Sequence, residues 1–99
     1  MPVELVIAPE AELDIAEAYM WYEGRRAGLG EEFLSSVDAC MEGILRQPEM
    51  CPLVHETYRR SLIRRFPYML FYEYAESTVT VYSVFHTSRD PNKWRQGLP

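Results

Sequence analysis

The chain has 99 residues, 47% hydrophobic and 25% charged, which is the balance of one ordinary globular domain spanning 1–99 and leaves no room for a second core. Its apolar runs fall far short of the roughly 18 residues of a membrane span, and no basic start leads into an apolar leader, so a cytoplasmic protein with no membrane partner is expected. The net charge of −5 argues against a general nucleic-acid binder, but residues 1–50 carry eleven acids and three bases while 51–99 carry four acids and seven bases, so one surface of the second half suits an anionic partner.

In chain order, Val3, Leu5 and Ile7 alternate with their neighbours and predict a short first strand. Pro9 suits a first helical position, and Glu10, Glu12 and Asp14 place negative charge where the helix dipole favours it. Ala11, Ile15, Ala18 and Tyr22 recur on one face, and Arg25 and Arg26 close this first helix. Gly28-Leu29-Gly30 breaks the pattern for a tight reversal. The helical period then resumes from Glu31 through Phe33, Val37, Cys40, Met41, Ile44 and Leu45, ending at Pro48.

Beyond Pro52 the period becomes two. Leu53–Glu56 is a short strand and Tyr58–Arg65 a longer one, with Tyr58, Arg60, Leu62 and Arg64 on one side. Phe66-Pro67 marks a bend, Tyr68–Tyr74 is an aromatic-rich strand, Glu76-Ser77 a turn, and Val79–Phe85 the clearest strand of all. Asp90-Pro91 has the form of a helix cap and first residue, predicting a short terminal helix through Trp94. The order β-α-α-β-β-β-β describes an α+β fold, a two-helix hairpin on a small, mainly antiparallel sheet. Cys40 and Cys51 lack metal-type spacing with the histidines, so both are expected to be structural, unpaired, and part of no metal or cofactor site.

This order, with Ala18 to Tyr22, Gly28-Leu29-Gly30 before Phe33, Arg60, Phe66-Pro67-Tyr68 before Tyr72, and His86 before Arg89-Asp90-Pro91 and Trp94, resembles the RelE/ParE toxin family. The resemblance covers Val3 to Trp94. It implies a sheet packed under a helical hairpin, a cognate antitoxin that wraps the toxin in a hetero-oligomer, and one of two targets. RelE-like members cut messenger RNA on the ribosome; ParE-like members inhibit DNA gyrase.

Metal-independent RNA cleavage needs a base, an acid and cations around the phosphate. Arginine serves only as the cation, so proton transfer falls to His86, His55 or a carboxylate such as Glu56. A ribonuclease site is therefore expected to combine His86 with Arg60 and Arg89, while Arg64, Tyr68 and Tyr72 are candidate binding residues for an antitoxin. Each has a plainer reading: a hydrogen-bonded strand-end histidine, arginines on a solvated face or paired with helix glutamates, tyrosines at the core edge. Trp21 and Trp94 read as packing anchors. RelE-like nucleases generally carry an arginine where this chain has Met69, which favours gyrase inhibition over RNA cleavage and leaves a non-toxic orphan homologue as the third reading.

Overall fold

The computed structural model describes residues 2–87. The order is β1 (Glu4–Ile7), α1 (Pro9–Arg25), α2 (Leu29–Arg46), β2 (Leu53–His55), β3 (Tyr58–Ile63), β4 (Tyr68–Ala75) and β5 (Thr78–His86). The expected terminal helix with Asp90, Pro91 and Trp94, and Arg89 with it, lies outside the described residues.

The five strands form one sheet in the order β1-β5-β4-β3-β2. The last four run antiparallel to their neighbours, and β1 joins β5 in parallel, with Glu4 opposite Thr78 and Ile7 opposite Val81. Two stretches of chain cannot run parallel through a tight turn, so the helical hairpin forms part of the long connection between β1 and the rest of the sheet. β4 and β5 are joined by Glu76-Ser77, both at positive φ (51° and 59°), the conformation a two-residue hairpin turn demands.

The helices cover one face of the sheet. Ala11, Ala18 and Tyr22 of α1 and Phe33, Val37, Met41 and Ile44 of α2 bury against Ile63, Tyr68, Leu70, Tyr72, Val79, Val81 and Val84. Phe33 has no exposed surface and meets the rings of Tyr22, Phe66 and Tyr68 at centroid distances of 5.2–5.3 Å. β5 carries one extra residue opposite β4, where the register passes from Phe71↔Ser83 to Tyr72↔Val81. This bulge keeps Val81 and Val84 on the same side despite their odd spacing. The Val84 amide beyond it donates to Asp14 Oδ2 at 3.0 Å, tying α1 to the bulge.

The α1–α2 turn is built on Glu23. Its carboxylate accepts from the amides of Gly28 (3.0 Å) and Gly30 (2.9 Å), which lie at the start of α2 where helical amides have no partner of their own. Gly28 stands at φ 89°, in the left-handed region that favours glycine. A Cβ at Gly30 would lie 2.7 Å from the Tyr19 ring and 2.9 Å from Glu23 Oε1, so both glycines are explained by this reversal. Trp21 is not the packing anchor its size suggested. It is about half exposed, lies edge-on to Tyr22 and carries the Arg25 guanidinium 4.3 Å above its ring.

Candidate functional site

The register decides which of the candidate residues meet. His86 pairs with Tyr68, which pairs with Ile63, so His86 lies on the helix-covered side, edge-on to the Tyr68 ring at 5.1 Å. Arg60 pairs with Phe71, which pairs with Ser83, on the opposite face. Side chains alternate along a strand, and Arg60 and Ile63 lie three positions apart on an unbulged strand. The expected cluster of His86 with Arg60 therefore does not form. The two occupy different faces of the sheet.

The four arginines near β3 separate in the same way. Arg59 points to the helix side and donates to the carbonyls of Glu49 (3.0 Å) and Cys51 (2.7 Å), pinning the α2–β2 connection. Arg60 is exposed on the outer face. β3 ends at Ile63, short of the expected Arg65, so Arg64 lies in the β3–β4 turn and does not continue the Arg60 face. Arg65, at φ 72°, donates to Glu32 at 2.8 Å, and Arg26 reaches the same carboxylate at 2.9 Å. These two guanidinium groups hold the Glu32 carboxyl below its ordinary pKa, against a smaller opposing effect of desolvation.

Tyr68 and Tyr72, expected as surface contacts for a partner, are 5% and 0% exposed. Both face the helices, and strand alternation leaves their rings in the core. The Tyr72 hydroxyl still reaches the Pro48 carbonyl at 2.8 Å, a second tie to the α2–β2 connection. Burial, and after it the neighbouring Cys51 thiol, pushes that phenol far above its usual value.

The outer face of the sheet is aromatic. Phe71 meets Phe85 at 6.2 Å and Tyr58 meets Tyr82 at 5.5 Å, while Glu73 accepts from Tyr82 (3.2 Å) and Thr57 (2.6 Å). Met69 lies on this face between Leu62 and Phe85, so the position at which an arginine was missed is an apolar one. His55 is opposite Tyr58 at the far end of the sheet from His86, and its Nε2 is 4.0 Å from Glu56 Oε1.

One concavity escaped the sequence reading. A groove of about 650 Å³ runs between α2 and β3, floored by Ala39, Cys40, Gly43 and Ile44 of the helix and by Ser61 of the strand. Met50, 73% exposed, and Leu62 also line it, although the Leu62 side chain belongs to the outer face with Met69. Arg46, Arg64 and Arg65 line it and no acid does. Cys40 Sγ lies 3.2 Å from Ser61 Oγ, and burial pushes its thiol up from the ordinary value, so the Cys40 thiol is a packed group and not an activated nucleophile. A signal existed in the small residues Ser35, Ser36, Ala39, Cys40 and Gly43, which recur on one side of α2.

Among the described residues no helix is long and apolar enough to cross a membrane. No curated protein sequence matches the chain. Among solved structures it is similar to one titled "Chromosomal ParDE TA system from P. aeruginosa", with a TM-score of 0.65 and 14% identity over 86% of this chain and 96% of that one; at such identity the likeness is one of fold. Residues 5–91 match the family described as "ParE toxin of type II toxin-antitoxin system, parDE". With the match running from β1 through the whole hairpin and sheet, the chain belongs to the ParE toxin family.

Proposed function

We propose that this protein is a cytoplasmic toxin that inhibits DNA gyrase by binding it and that a cognate antitoxin neutralises. Family membership supports the toxin and antitoxin roles. The choice of binding over catalysis rests on one observation: His86 and Arg60 lie on opposite faces of the sheet. A ribonuclease of this kind needs its base and its phosphate-binding cation on the same scissile group, within hydrogen-bond reach. The apolar surroundings of Met69 point the same way. Exposed Arg60 and Arg64 remain as cationic contacts for the target or the antitoxin. Arg89 is reserved for the ribonuclease alternative, in which it would join His86.

Expression without antitoxin is expected to induce the SOS response and stall DNA synthesis, and the purified protein to block supercoiling by gyrase. Prompt translational arrest with A-site cleavage would favour the RelE-like ribonuclease. Harmless overexpression would favour an orphan homologue. His86→Ala separates the first two further: gyrase inhibition survives it, whereas a histidine-dependent nuclease loses at least ~10²-fold in cleavage.

A further inference from the structure

We propose that the outward face of α1 is a self-association surface, on which a second copy of this chain packs its own α1 antiparallel about a two-fold axis. The inference is independent of the toxin reading and adds a homodimeric state to it.

Three observations carry it. The first is a helix with two apolar faces. Ala11, Ile15, Ala18 and Tyr22 turn α1 to the core, yet Leu13 and Met20 are 64% and 72% exposed. At 3.6 residues per turn these two stand roughly 180° round the helix from Ala11 and Ala18, one above the other. Exposed Ala16 and half-exposed Trp21 flank them, so the water side of α1 carries a stripe and not a scattered apolar residue.

The second is room for a close approach. Gly24 is exposed on the same side, and a Cβ there would meet nothing within 4 Å, so packing inside the protomer does not call for glycine. A facing helix inserts a side chain between four residues at i, i+3, i+4 and i+7. Glu17, Met20, Trp21 and Gly24 have that spacing, and the glycine leaves the space open for Leu13 of the second copy.

The third is charge, which selects a second copy as the occupant and sets its direction. The first turn of α1 carries Glu10, and the last carries Arg25, held over the Trp21 ring on this side. Seating Leu13 in the Glu17–Gly24 space of an antiparallel helix brings Arg25 of each copy to Glu10 of the other, with the two helix dipoles opposed. Within one chain these residues stand about 22 Å apart along the helix, too far to pair. The two copies of Glu17 meet near the axis and repel. The face is also only about 25 Å long and 10 Å wide, well short of the roughly 800 Å² per partner of a standard interface. The dimer is accordingly expected to be micromolar or weaker.

Sedimentation equilibrium of the purified full-length chain, from about 1 µM to 1 mM, reads this directly, and concentration-dependent dimerisation is expected. Leu13→Lys is expected to weaken it at least ~10-fold, and so is Gly24→Gln, which fills the space with a better helix former; circular dichroism checks that both fold. Glu10→Arg and Arg25→Glu each weaken it as well, whereas a one-to-one mixture of those two variants associates more tightly than either alone. Each exchange moves the net charge of −5 by two units, so both variants stay acidic and only local pairing can draw them together. A chain that stays monomeric to about 1 mM overturns the dimer and leaves the stripe to a different protein. A dimer indifferent to Leu13→Lys and Gly24→Gln overturns α1 as the contact, and a mixture no tighter than its components overturns the antiparallel arrangement.

Discussion

Single side chains join parts of this fold that are far apart in sequence. Glu23 accepts from two amides at the start of α2, so one carboxylate supplies both a cap and a negative charge at the positive end of the helix dipole. Glu23→Ala is expected to cost about 1 kcal/mol, read as a lower midpoint in urea at unchanged slope. Asp14 has a comparable role at the β5 bulge. Without it the half-buried Val84 amide loses its acceptor, and Asp14→Ala is expected to cost about 1–3 kcal/mol. A loss no greater than that of a neutral surface substitution would show that water replaces the carboxylate.

At the scale of elements, the β4–β5 hairpin turns through two residues that bear the steric cost of positive φ without being glycine or asparagine. Glu76→Asn with Ser77→Gly provides the residues such a turn favours and is expected to stabilise by up to about 1 kcal/mol, measured as a raised thermal midpoint. The link from the α1–α2 turn and α2 to the β3–β4 turn, through Arg26, Glu32 and Arg65, carries a pH dependence of definite sign. The folded-state pKa of Glu32 lies below its ordinary 4.5. Its contribution is therefore complete above that value and disappears as pH falls through the lowered one. Glu32→Gln is expected to flatten the acid side of the thermal-midpoint profile; an unchanged slope there would mean that solvent screening cancels the pairing.

For the whole molecule, the sheet separates roles by face. The helix side holds the core and His86, the outer side holds Arg60 and the aromatic ladder, and the cationic groove lies beside β3. A binding protein needs only an exposed, complementary surface, whereas a nuclease needs its base and its cation on the same face. On the proposed reading, this arrangement serves the first need. The acidic excess of residues 1–50 and the basic excess of 51–99 were legible in the sequence, and the structure adds that Arg46 from the acidic half joins Arg64 and Arg65 at one groove.

Periodicity alone determined the elements. Spacings of three and four identified α1 and α2, spacings of two identified the strands, and glycine and proline marked most of the breaks, because these signals are local and short-range sterics enforce them. Which strand face each of Arg59, Arg60 and Tyr68 would occupy in the fold was not local information. It depended on register, on a bulge in β5, and on β3 stopping at Ile63, all fixed by pairing between strands distant in sequence. For that reason the pairing of His86 with Arg60 failed while the strands that carry them were correctly expected. The groove was hidden for the same cause: Cys40 and Ser61, 21 residues apart, become neighbours only when α2 packs on β3.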